Sequence, residues 1–168
     1  MERQNDCHRT VEQEQPMKFE CTIPGQPVPM GRPRVTTRGG VARAYLPKAT
    51  RAWLTMASTI IKAHWRHEPM STPVGVRACF VHRRPQKLKA RRHSSGRHFR
   101  PVRGDVDNFL KALLDSLQVG NGNGGGVFLD DALVCYVECY DVYAARDEGP
   151  CVEVEVFPLT SPPPGEEQ

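Results

Sequence analysis

No C-x-x-C pair occurs in the 168-residue chain, and no apolar run approaches the roughly 20 residues of a membrane span. Without paired cysteines a zinc framework has no scaffold. The six cysteines stand singly at 7, 21, 79, 135, 139 and 151. Cys135 and Cys139 fall on a strand pattern, where four residues span roughly 13 Å, too far for one zinc. Most of the others sit at apolar alternation positions and read as small core residues. The first sixteen residues are polar and hold no apolar core of a secretory leader. The expected location is therefore a reducing cytoplasm, with no membrane partner.

A third absence is local. From Arg83 to Arg103 there is no acid at all, but nine Lys or Arg. The whole chain has a net charge of only +4, so the remainder carries 14 basic against 19 acidic residues, a balance of −5. The positive charge is a patch, as a polyanion-binding surface requires. A solvated flexible loop is the duller account of the same run.

The length fits one domain with a single core. Residues 1–16 and 159–168 are patternless or Pro- and Glu-rich and read as disordered tails around a domain at 17–158. Phe19, Cys21 and Ile23 alternate through a first strand. The Pro- and Gly-rich passage 24–40 excludes helix and carries Arg32 and Arg34. Pro47 opens a helix with Ala49, Ala52, Trp53, Met56, Ile60 and His64 at helical spacing. Val74, Val76, Ala78 and Phe80 alternate through a second strand. Phe109, Leu110, Leu113, Leu114 and Leu117 form the apolar face of a second helix, opposite a polar stripe of Asn108, Lys111, Asp115 and Gln118. Glycines at 120–126 read as a flexible turn. A strand over 133–143 has a mixed pattern that suggests both faces are covered, and Val152, Val154 and Val156 mark the last strand. The order β-α-β-α-β-β predicts a single α+β domain: a small mixed sheet of about four strands packed with two main helices.

Chemistry concentrates where the basic run meets the second helix. Asp105 and Asp107 are two apart at an extended-to-helix junction, so both carboxylates can face one point. Carboxylate oxygens suit Mg²⁺, with Mn²⁺ as a substitute. Lys111 lies one turn past Asp107 and can hold the carboxylates ionised or offset charge growing on a phosphate. Asp130 and Asp131 follow the glycine turn, where Asp131 can join the same site. Three acids would bind one or two metals that activate water and stabilise a leaving oxygen. Singly, each residue has a plainer role: Asp105 or Asp107 as a helix cap, Lys111 as an exposed lysine, Asp130 and Asp131 as turn residues. Asp115 reads as a structural partner of Lys111 in preference to a catalytic group. Trp53 and Trp65 read as packing residues, and the histidines form no ligand pair; His93 and His98 go with the phosphate-facing loop.

The run Gly104-Asp105-Val106-Asp107-Asn108-Phe109-Leu110-Lys111 and its continuation to Leu117, with Val127-Phe128-Leu129-Asp130-Asp131-Ala132, resembles the RusA family of Holliday junction resolvases. So do Ile23-Pro24-Gly25, Gly31-Arg32-Pro33-Arg34 and Tyr45-Leu46-Pro47-Lys48, and the likeness runs from Phe19 to Phe157. The resemblance implies a homodimer whose two active sites cut opposite strands of a four-way DNA junction using Mg²⁺. It implies catalytic roles for Asp105, Asp107, Lys111 and Asp131, with the three aspartates as metal ligands and Asp130 as a secondary member. The chain departs from the pattern in a longer turn at 121–126, which is expected to leave Asp131 more mobile, and in Leu133, where the family often has Gln.

The DNA-contacting residues expected from the basic run and the early loop are Arg32, Arg34, Arg83, Arg84, Lys87, Lys89, Arg91, Arg92, Arg97, Arg100 and Arg103. They would meet phosphates, which give affinity without sequence information. The rival readings are a nuclease for other branched or single-stranded DNA, a DNA-binding accessory protein of the same fold, and a small-molecule phosphohydrolase. Loss of binding with rising salt would argue against the last.

Overall fold

The structure, a computed structural model, describes residues 17–37, 40, 42–90, 93–102, 106–120 and 124–162. Nine elements follow in order: β1 (Phe19–Pro24), β2 (Arg34–Thr36), β3 (Arg43–Tyr45), α1 (Lys48–His64), β4 (Val74–His82), β5 (His98–Phe99), α2 (Val106–Leu117), β6 (Val134–Tyr143) and β7 (Cys151–Pro158). Five strands form one mixed sheet in the order β1-β7-β4-β6-β5, in which only the β4–β6 pair is parallel. Parallel neighbours need a long crossover, and the connection through α2 supplies it. β2 and β3 pair separately as a short antiparallel arm. The expected single α+β domain is present, with five strands in the sheet where about four are predicted. Strands of two and three residues are too short to leave a periodic trace in sequence.

Alternation selects the core. Phe19, Cys21 and Ile23 of β1 and Val152, Val154 and Val156 of β7 are buried beneath the helices, beside Val74, Val76, Ala78 and Phe80 of β4. The opposite face of the sheet is mixed, with a small second apolar cluster of Val81, Val142 and Ala144 at one end. There Arg77 pairs with Glu138 and Glu155 and lies 4.7 Å from the Phe157 ring centroid.

Pro47 precedes α1, whose missing donor costs nothing at that position. The helix buries Thr50, Trp53, Ala57, Ser58 and Ile61, a stripe rotated from the predicted one, and Met56 faces outward. The reason is close packing. Small side chains at 57 and 58 let α1 approach α2, where the Ser58 hydroxyl donates to the Ser116 carbonyl at 3.4 Å, while the Thr50 hydroxyl donates to the Pro29 carbonyl at 3.4 Å. α2 buries Phe109, Ala112, Leu113, Ser116 and Leu117, with Leu110 and Leu114 partly covered, much as its periodicity predicts. Trp53 and Trp65 are buried, as expected of packing residues.

β6 is not covered on both faces. Cys135, Tyr136, Val137 and Tyr140 are exposed, and β5 pairs only with its last two residues. The cysteines differ accordingly: Cys21 is buried, Cys79, Cys139 and Cys151 are half-buried, and Cys135 is exposed. The predicted tail 1–16 and the last six residues of the predicted tail 159–168 lie outside the described residues.

Candidate active site

The first turn of α2 carries Asp107, exposed, with Lys111 one turn on and Asp115 half-buried one turn further, all on the polar stripe opposite Leu113 and Leu117. Asp105 lies outside the described residues, as do Arg91, Arg92 and Arg103. Two contacts hold this turn in place. The Met30 amide donates to the Asn108 carbonyl at 2.8 Å, and the Phe109 ring packs 5.6 Å from Phe80 and 5.0 Å from the His82 imidazole.

Asp131 reaches the same stripe by a route that the sequence hides. Residues 125–129 are threaded between the carboxyl end of α2 and Met70. The amides of Gly125 and Val127 donate to the carbonyls of Ser116 and Leu117 at 2.6 and 2.8 Å, and the Val119 amide donates to the Phe128 carbonyl at 2.9 Å. On the other side Met70 donates to Val127 and Leu129 to Met70, at 2.8 and 3.1 Å, while Val127 and Phe128 are fully buried. Gly125 serves close approach, while Gly126 supplies a left-handed turn at φ 78°. A Cβ on Gly125 would stand 2.3 Å from Ile61 and 2.7 Å from the Ser116 oxygen. The segment leading to Asp131 is therefore anchored on both sides, contrary to the mobility expected of it.

The chain then turns at a short 3₁₀ segment, Asp131–Leu133, whose Ala132 amide donates to the Asp130 carboxylate at 2.9 Å. Asp130 caps the turn, and Asp131 is exposed beside α2. Their electrostatics register the convergence. Burial pushes the Asp115 carboxyl above the usual carboxylate range; Lys111 opposes that rise and the nearby charge of Asp131 adds to it. Asp107, Lys111, Asp115 and Asp131 make no ion pair with another described residue. Among the described residues no three of these carboxylates lie within 4.8 Å of one another, so the convergence seen is that of Asp131 and Lys111 on Asp115.

A second acidic group is unsuited to holding a cation. Among the described residues, Glu148, Cys151 and Glu153 place three possible ligand atoms within 4.8 Å of one another. Arg97 already bridges both carboxylates, which are held as its partners. Cys151 also pairs with Val81, at the end of the sheet remote from the Val74–Val134 pair that adjoins Asp131.

The residues expected to contact DNA divide in two. Arg32, Arg34, Arg83, Lys87 and Lys89 are exposed, with side chains in no ion pair with a described residue. Arg84, Arg97 and Arg100, expected to face phosphate, are engaged within the protein. Arg84 is buried and donates to the carbonyls of Leu88, Ser94, Gly96 and Ala144, so it organises the basic loop from inside. Arg97 pairs with Glu148 and Glu153, and Arg100 donates to Asp141 at 2.7 Å. Nothing in the composition of a nine-cation run separates those that meet internal acceptors from those that do not. Arg43, absent from the expected set, joins Arg34 and Tyr45 on one face of the β2–β3 arm, because paired residues share a side. Met30 roots this arm at the first turn of α2.

Carboxylates and a lysine on one stripe of α2, with a cation-bearing arm rooted at its first turn, form a surface suited to phosphodiester chemistry. A family model described as Endodeoxyribonuclease RusA matches residues 24–157. The match covers most of the chain, and the chain belongs to the RusA endodeoxyribonuclease family. It is thus a nuclease by class, with DNA as the polymer acted on. A search of curated proteins returned no match. No helix among the described residues is long and apolar enough to cross a membrane.

Proposed function

We propose that this protein is a divalent-metal-dependent endonuclease that resolves four-way DNA junctions in recombination and repair, acting as a homodimer that nicks two opposed strands at symmetric positions. The observation that carries the reading is the approach of Asp131 to Asp115, one turn from Lys111 on the α2 stripe, with an arm carrying Arg34 and Arg43 rooted at the first turn of the same helix. A symmetric dimer would set two such sites at a fixed separation, which selects a branched substrate by geometry.

Asp105, Asp107 and Asp131 would hold the ion, with Asp130 as a secondary member. A bound Mg²⁺ or Mn²⁺ supplies Lewis-acid polarisation of the scissile phosphate and a water of lowered pKa. Lys111 faces the same point and offsets negative charge that grows on the phosphate oxygens. Asp115, one turn deeper, feels the charge of Lys111 without pairing with it. Arg32, Arg34, Arg83, Lys87 and Lys89 contact backbone phosphates and bring the strand to the carboxylates, and Arg91, Arg92 and Arg103 are assigned the same role from the sequence.

The test is cleavage of a synthetic four-way junction with Mg²⁺, mapped on all four strands, beside flap, single-stranded and duplex controls. Paired symmetric nicks are the expected result. Asp107→Asn is expected to bind the junction as wild type does and to lose at least about 100-fold in cleavage rate. A variant that cuts at the wild-type rate removes Asp107 from the site. Equal cutting of flaps or single strands favours a broader nuclease, and binding without cleavage an accessory protein.

A further inference from the structure

Behind the first turn of α2 lies a polar chain that the cleavage reading does not use. The Gln26 amide oxygen accepts the Arg83 backbone N–H at 3.1 Å, which fixes the orientation of that amide. Its nitrogen, a donor only, then faces His82 Nδ1 at 2.6 Å. Nδ1 must accept, so the proton of a neutral imidazole sits on Nε2. Nε2 lies 2.8 Å from Asp141 Oδ1, an ion-pair distance, though the approach is too oblique for a well-formed hydrogen bond. The other Asp141 oxygen accepts from Arg100 at 2.7 Å, and the Arg100 amide donates to the Asp141 carbonyl at 3.0 Å. The Arg100 guanidinium closes the chain 5.7 Å from the Phe109 ring centroid, and the His82 ring meets the same ring edge-on at 5.0 Å.

The side chains of His82, Asp141 and Arg100 are 4%, 13% and 16% exposed, unlike those of a phosphate-seeking surface. Burial and the Arg100 charge push the His82 pKa down, in keeping with a neutral ring.

We propose that Arg100, anchored through Asp141 to His82 and Gln26, is a positioning residue: it clamps Phe109 and so fixes the amino end of α2, two residues from Asp107, where cleavage needs it. The basic loop ends at this clamp, and the chain passes from it to the carboxylates. Displacement of a reacting group by about 1 Å can cost about 100-fold in rate, so a clamp on this turn acts on turnover and not on affinity. The inference deepens the nuclease reading and rests on it for its catalytic part.

The experiment uses the full chain and three variants, Arg100→Met, Arg100→Lys and Gln26→Leu, each checked by thermal unfolding. Single-turnover cleavage at saturating junction is expected to fall about 10- to 100-fold in Arg100→Met, with partial recovery in Arg100→Lys. Gln26→Leu, at the exposed far end of the chain, is expected to shift the rate in the same direction by less. Junction Kd and its salt dependence stay at wild-type values in all three. Hydrogen exchange at amides 106–111 speeds up in Arg100→Met, with or without Mg²⁺. A weaker Kd, a salt slope reduced by about one and an unchanged saturated rate would make Arg100 a phosphate contact and overturn the proposal. Unchanged exchange at 106–111 would overturn it too. Exchange is read without cleavage, so a wild-type protein that cuts no junction defeats the nuclease reading and leaves this one decided on its own measurement.

Discussion

Asp115 shows what a single residue gains and loses by its place in the fold. The spacing of four from Lys111 predicts a partnership along one helix face, and the charge of Lys111 does act on it. The approach of Asp131 is not legible in that spacing, since it depends on a segment folded back from beyond the turn. Burial is the main cause of the raised Asp115 pKa. A carboxyl whose pKa is higher folded than unfolded binds its proton more tightly in the native state. Its ionisation therefore costs stability, beginning near the ordinary Asp value of about 3.9 and reaching its full extent above the raised one. Asp115→Asn is expected to raise Tm by a few degrees at pH 7 in EDTA. The gain should disappear as pH falls towards 3.5 or so, where both states are protonated. Melting curves at the two pH values check the sign; a lower Tm at pH 7 would mean that the carboxylate is stabilising.

At the scale of the element, the segment 124–129 decides the site. Its glycines read in sequence as a flexible turn, because composition cannot distinguish a glycine needed for freedom from one needed for closeness. The structure shows closeness: a Cβ on Gly124 would stand 1.7 Å from the Gln118 carbonyl oxygen, which is backbone and cannot swing away. Gly124→Ala is expected to destabilise by at least about 1–3 kcal/mol, the usual cost of overpacking. It should also slow cleavage by displacing Asp131, while junction binding persists. Urea unfolding and single-turnover rates on one preparation test both parts. β6 teaches the complementary lesson. Its mixed pattern arises from a strand near the sheet edge with polar work on one face, and mixed patterns look alike whether both faces are covered or both are open. The helices were more legible, since α2 repeats its apolar residues over three turns and the signal accumulates.

The distribution of charge belongs to the whole molecule. Junction binding is expected to weaken steeply with salt, with each phosphate contact contributing about 0.9 to the log–log slope on duplex arms. Lys87→Gln with Lys89→Gln should reduce that slope by about two. Arg97→Gln should leave it nearly unchanged, since Arg97 is neutralised by Glu148 and Glu153. Titrations at three or more salt concentrations separate the two outcomes, and an equal loss in Arg97→Gln would mean that this arginine exchanges its partners for phosphate.

Local pattern was enough to specify the α+β class, both helices, the long strands and the acid–lysine stripe of α2. These follow from periodicity and from the short reach of side chains one turn apart, which any folded context preserves. Which carboxylates meet, which arginines are spent on carbonyls and glutamates, and which polar chain stands behind Phe109 were settled by folding alone. Contacts such as Gln26 with His82 or Arg100 with Asp141 join residues 56 and 41 positions apart, and their pairing is set by sheet register and helix packing.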